Sequence, residues 1–371
     1  MPVKSFEPLN PNTDIATTRT FLHEVVPITG AIVSGTYGAF TAENNVKNYT
    51  HGMFQSVYDY PVLSSSANHI FDITMGYDES SALSSSASTQ NSKKINMYNQ
   101  FSQLLLGYTG SNNTVRIFES DLKLDLTGSM KEVYFINFSR LLTKDQIKKG
   151  SVEIKLGTGI MRGTEGNAGC AFNSATGSGQ DMVITLTDAS ASVDDTGVLN
   201  TLGGDYGVLF DAGGAGPTDT GIGKGIIFYQ AGVMVLTASI FSSSIGASDF
   251  WKYETNSWNV TQSMMTGTMS SSCDALRQRI QSISFNNTTE INSTIYFCRV
   301  PHNKFNYSTN PTYVTGSKLR VKNTAGDQPV SYITTVGLYS SNNELLAIAK
   351  LSEPLKKTPS NELTLRVRLD Y

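Results

Sequence analysis

Charge is the scarcest commodity in this sequence: charged residues are 16% of the 371, with 28 basic against 31 acidic, where an average globular chain carries about 25%. A formal net charge of −3 offers no basic field to collect phosphates or an anionic bilayer, so neither a nucleic acid nor a membrane is an expected partner. The cysteines are Cys170, Cys273 and Cys298, odd in number and far apart. They fit free thiols in a protein assembled inside a cell more than a disulfide framework. The histidines, His23, His51, His69 and His302, share no metal spacing with each other or with a cysteine. The longest apolar stretch, residues 225–241, is broken by Gln230-Ala231-Gly232 and Thr237. It falls short of the roughly 20 residues of a membrane span and reads as a hairpin. The opening MPVKSFEPLNPNTD has no apolar stretch behind its lysine, so no signal peptide is expected.

What replaces charge is Ser, Thr, Asn and Gly, which favour turns and β surfaces over helices. The final residues show the pattern best. Leu363, Leu365, Val367 and Leu369 point one way, and Thr364, Arg366, Arg368 and Asp370 the other, the period of two that marks a half-buried strand. Residues 331–371 read as three successive antiparallel strands joined by SSNN and EPLKKTPSNE. Further strands are expected at 132–138, at VEIKLG (152–157) and at 295–300. Helices are fewer. Ile95, Tyr98, Phe101, Leu104 and Leu105 recur at helical spacing before Gly107. Thr143 and Gln146 stand in capping-box relation with Gly150 ending the turn, and 272–283 is a third short helix. The fold class is therefore mainly β, with sandwich-like antiparallel modules and a few short helices.

Composition divides the chain into an N-terminal arm and helix-containing module (1–110), a β module (111–300) with a Gly/Ser-rich insertion at about 157–225, and a C-terminal strand segment (301–371) completing the sandwich. Prolines at 2, 8, 11 and 27 limit ladder bonding in the arm, so residues 1–30 are expected to contact another chain rather than pack only on their own.

Chemistry-bearing motifs are weak. Gly221-Ile222-Gly223-Lys224-Gly225 has Thr218 where a phosphate loop needs its first Gly, and Gly225 where it needs Ser or Thr. It reads as a turn before the next strand. Gly157-Thr158-Gly159 has its third glycine at 163, one place late for a dinucleotide fingerprint. Asp121, Asp125, Asp194 and Asp195 follow no calcium-loop spacing. The Asn-x-Ser/Thr triplets at 48–50 and 292–294 are chance products of the composition. No catalytic, cofactor or metal residue is assigned. The loop 299–313 holds Phe305, Tyr307 and Tyr313 among Asn, Pro and Ser, and amphipathic aromatics of this kind serve either an interface or the capping of their own module. With the outward Arg366 and Arg368 and the terminal Tyr371, they are the candidate interface residues.

The runs INSTIYFCRVPHNKFNYSTNPTY (291–313), VSYITTVGLYSSNNELLAIAKLSEPLKK (330–357) and LRVRLDY (365–371) resemble virion structural proteins of contractile-tailed bacteriophages, especially those infecting marine cyanobacteria. HGMFQSVYDYPVLSSSANHIFDITMGYDES (51–80) and LLTKDQIKKG (141–150) are similar to the same group, and the Gly-rich insertion matches least. The resemblance implies a non-enzymatic tail or baseplate component, without cofactors, located in the virion after assembly in the host cytoplasm. Its partners would be other copies of itself and other virion proteins. The alternative is a receptor- or carbohydrate-binding module of a tail fibre, for which Trp251 and Trp258 single out the 243–272 stretch. A glycan-degrading enzyme would need two carboxylates roughly 5–10 Å apart.

Overall fold

The computed structural model describes residues 6–29, 43–108, 115–120, 128–162, 171–173, 182–189, 191, 198–212, 223–241, 251–253, 256–307, 314–315, 318–319 and 329–371. The chain is mainly β and antiparallel, with four short helices among these residues. Strands used below are β1 (Ile15–Thr29), β2 (Gln55–Tyr58), β3 (His69–Tyr77), β4 (Glu132–Phe138), β5 (Glu153–Gly157), β6 (Val183–Thr187), β7 (Gly204–Asp211), β8 (Gly225–Phe228), β9 (Val233–Thr237), β10 (Ile280–Val300), β11 (Ser331–Tyr339), β12 (Leu345–Lys357) and β13 (Leu363–Asp370). The helices are α1 (Asn91–Leu105), α2 (Arg140–Thr143), α3 (Val260–Met265) and α4 (Met269–Arg279). Two compact units emerge, 22–289 and 1–21 with 290–371, so the chain crosses between them inside β1 and β10.

In the larger unit the strands follow one another across the sheet as β2, β3, β4, β9, β8, β7, β6, β5 and β10. The expected hairpin at 225–241 is present as β8 and β9, with Ile226 opposite Val235. All nine residues of these two strands are buried, which explains an apolar run with no alternation: both faces of the sheet carry a core. On one face Phe71, Ile73, Met75, Tyr134 and Ile136 pack with Leu276 of α4 and with Ile154 and Leu156 of β5. That core lies between two parts of the sheet, the sandwich-like feature. On the other face Phe135 and Val235 pack with Tyr98 and Leu105 of α1, and the Phe101 and Phe135 rings stack at 4.2 Å. Gly76 lets α1 approach β3. A Cβ there would meet the Lys94 carbonyl oxygen at 2.7 Å and the Tyr98 nitrogen at 2.8 Å.

Several expectations change. Thr143 closes the single turn of α2 instead of starting a helix. Lys144 takes φ +55°, and Gln146–Ile147 pair with Thr288 and Asn287 of β10, because Ile147 is needed in the core. Helix α4 begins earlier than expected, capped by Thr268, whose hydroxyl accepts from the Ser271 amide. It also ends earlier, since Ile280 and Ile283 join the ladder with β5. The apolar runs inside the Gly/Ser-rich stretch, β6 and β7, are interior strands of the sheet. Helix α3 starts with a complete capping box between Asn259 and Gln262.

Helix α1 confirms the periodic segment, with Gly107 at φ +84° just past its end, but its buried stripe is rotated. Leu104 is exposed, while Lys94 and Ser102 are buried. The Lys94 ammonium donates to the carbonyls of Met264 (2.6 Å), Met265 (3.4 Å) and Gly267 (2.8 Å). It thereby satisfies carbonyls left open at the C-terminal end of α3. Burial pulls its pKa down from 10.5 to about 8. Between those values the unfolded chain holds the extra proton, so stability rises with pH. The cost is fully present below about 8 and is relieved as pH climbs toward 10. Urea midpoints of the wild type should therefore rise between pH 8 and 9.5 relative to those of Lys94→Met. A difference that is flat or falls across that window would contradict the placement.

Candidate interaction surface

The smaller unit is built on the second half of β10. β13 pairs with it from Ser293↔Asp370 to Val300↔Leu363. The other edge of β10 receives β1, and the contacts run antiparallel: Asp14 accepts from Arg299 at 2.8 Å, Arg19 meets Glu290 at 2.9 Å, and further along His23 lies 3.3 Å from the Asn287 carbonyl. The arm thus has an internal backbone partner on one edge, although Phe21, Leu22 and Val25 stay exposed.

Residues 331–371 hold three successive strands, as read, but the three do not lie side by side in one sheet. β11 and β12 form a separate two-stranded ribbon, and β13 leaves it to pair with β10. β12 also runs through the EPLKK segment expected to turn. Pro354 is tolerated because the register shifts there, Ile333 facing Leu355 and Thr335 facing Lys350. Along β13 the alternation holds, with Val367 buried and Arg366 and Arg368 exposed. Val367→Asp should leave little soluble protein, since an unpaired carboxylate would enter an apolar site, while Arg366→Asp should be tolerated. Expression and solubility of both variants decide this, and a soluble, folded Val367→Asp protein would contradict the register.

Among the described residues neither edge of the β11–β12 ribbon carries a third strand, and one face is apolar and exposed. Ile348 (58% exposed) lies opposite Gly337, and Tyr339 lies opposite Leu345. Gly337 has a local reason: a Cβ would meet the Tyr339 ring at 2.8 Å, so glycine lets that ring lie along the ribbon. Tyr339 then meets Phe6 edge-on at 4.8 Å, and Leu346 (68% exposed) sits in the irregular register beside them. Large apolar side chains clustered on a strand pair with open edges mark a surface to be covered. None of these was singled out from sequence. The adjacent Leu345-Leu346, which breaks strict alternation, was the available signal.

The residues expected to form an interface divide. Tyr307 is exposed, as are Arg366, Arg368 and Tyr371. Tyr313 lies outside the described residues. Phe305, at φ +58°, is half-buried and its carbonyl accepts from Ser331 Oγ at 2.5 Å, which ties the loop to the root of the ribbon. Arg368 donates to Asp370 (2.7 Å) and Ser293 (3.0 Å). Tyr371 exchanges backbone hydrogen bonds with Asn292, and its hydroxyl lies 3.1 Å from Thr294 Oγ1.

Polar clusters elsewhere have structural geometry. Asp72 accepts from Ser56 at 2.5 Å and from His69 at 2.8 Å through the same oxygen. The carboxylate, not the imidazole, stands in the middle, so the histidine cannot take the serine proton. Asp188 accepts from the Gly150 and Val152 amides and the Tyr229 hydroxyl, all within 2.9 Å. Arg277 pairs with Glu43 and Asp274, and Arg279 donates to the Gly157 and Gly159 carbonyls at 2.9 Å. Gly223 touches the 120 backbone so closely that a Cβ would overlap the Ser120 carbonyl, a packing reason for a glycine read as part of a turn. Gly221, Ile222, Asp121, Asp125, Asp194, Asp195 and Cys170 lie outside the described residues. Trp258 pairs across from Trp251 and packs on the core of the larger unit. No helix among the described residues is long and apolar enough to cross a membrane, and among them no group of three or more metal-ligating side chains converges. Comparisons with protein-family models, curated proteins and solved structures gave no match.

Proposed function

We propose that this chain is a non-enzymatic structural component of a bacteriophage virion, in the tail or baseplate, that works by binding copies of itself and other virion proteins. The observation that carries the contact role is the exposed apolar face of the β11–β12 ribbon, with Tyr339, Leu345, Leu346 and Ile348. An isolated two-stranded ribbon is marginal in water, and this one gains stability when its apolar face and free edges are covered by a neighbour. The phage assignment draws its support from the sequence resemblance at 51–80, 141–150, 291–313, 330–357 and 365–371. The fibre-tip alternative is weaker, because Trp258 packs on the core instead of offering a ring to a sugar.

Cross-linking of intact phage particles that contain the chain tests the proposal. Lys350 and Lys356, on the ribbon, should link to neighbouring subunits. Absence of the chain from purified particles would reject the virion role.

A further inference from the structure

The root of the ribbon holds an arrangement of four functional groups that the contact role does not use. Lys357, the last residue of β12, is fully buried. Its Nζ donates to Asn306 Oδ1 (2.8 Å), the Thr358 carbonyl (2.8 Å) and the His302 carbonyl (3.2 Å). Every one of these acceptors is uncharged, so a buried ammonium here lacks a bonded counterion, a costly state. Burial holds the amine below its ordinary pKa, with the Glu362 charge acting the other way. The Asn306 carboxamide is itself fixed, its Nδ2 donating to the His302 carbonyl at 2.8 Å. Beside this pair Glu362 accepts from His302, through Nδ1 at 2.9 Å and the backbone amide at 3.4 Å.

We propose that Lys357 and Asn306 join in an intramolecular isopeptide bond, a covalent staple between the loop following β10 and the end of β12. The neutral amine attacks Cγ of Asn306, an Nζ–Cγ bond forms, the Cγ–Nδ2 bond breaks, and Nδ2 leaves as ammonia carrying a proton that began on Nζ. Glu362 relays that proton. No oxidant or reductant enters, since one amide replaces another. Two features favour the exchange: the groups are held in contact, which makes the attack effectively unimolecular, and the released ammonia is lost by dilution. The product also removes the buried charge. The staple would fix the base of the ribbon whether or not its face is covered, so it stands apart from the virion reading.

Intact mass spectrometry of the full chain is the test. The wild type should be lighter than its sequence by one ammonia, and a protease digest should yield a branched peptide joining the segments around 306 and 357. Lys357→Arg and Asn306→Ala should have their full sequence mass, and Glu362→Gln should have lost most of the linkage. A wild-type mass equal to the sequence mass overturns the proposal. So does a deficit that survives in Lys357→Arg, which would place the ammonia loss elsewhere. If a variant fails to fold, the wild-type mass and its branched peptide decide alone. Full linkage in Glu362→Gln would overturn the relay assigned to that carboxylate.

Discussion

Arg277→Ala should lower the stability of the larger unit by about 3–5 kcal/mol, the usual cost of removing one partner of a buried ion pair. The Arg277 side chain is 1% exposed and that of Glu43 is 2% exposed. The guanidinium bonds Glu43 and lies 3.1 Å from Asp274 Oδ1. Gln55 completes the cluster, donating to Asp274 at 2.8 Å and to Asn48 at 2.6 Å. Burial already raises the pKa of Glu43 and of Asp274, against the pull of Arg277. Without the arginine both carboxylates face that burial uncompensated. The folded variant then holds protons more tightly than the unfolded chain, so its stability rises as pH falls through the folded-state values. Urea denaturation should show a large deficit at pH 7 that shrinks at pH 5. A loss under about 1 kcal/mol, or a deficit that grows on acidification, would contradict this account of the cluster.

The paired substitution Leu346→Asp with Ile348→Asp should leave the isolated chain folded and abolish its assembly. Both side chains are exposed in the single chain, and surface replacements usually change folding stability by no more than about 0.5 kcal/mol. In an interface each would bury an apolar side chain worth roughly 1.5–3 kcal/mol. Losing two costs about 4 kcal/mol, on the order of a thousandfold in association at 1.4 kcal/mol per tenfold. Thermal melting and incorporation into particles report the two quantities separately. Unfolding of the isolated variant would mean that this face is an internal core surface, and full incorporation would mean that the contact lies elsewhere.

Local pattern carried much of the fold. The alternation of β13, the unbroken apolar hairpin β8–β9 and the periodic face of α1 are each set by neighbours close in sequence. What remained illegible depends on distant partners. Lys94 occupies a core position only because the C-terminal carbonyls of α3 lie over it. The second half of β10, rich in Asn, Ser and Thr, is a strand because β13 pairs along it. Thr143 and Gln146 satisfy a capping pattern, yet the burial of Ile147 outweighs it. The interface candidates show the same limit. Alternation put Arg366 and Arg368 outward correctly, whereas Ile348 and Tyr339 sit on an exposed face because no third strand covers the ribbon among the described residues.

Hydrogen–deuterium exchange over residues 331–357, compared between the isolated chain and the assembled particle, tests the central claim most directly. In the isolated chain the outward amides of both ribbon strands should exchange quickly, having no ladder partner on either edge. In the particle those amides should be strongly protected, together with the segment around Phe6. Equal, rapid exchange of the ribbon in both states would show that nothing covers it, and the contact role assigned to it would fail.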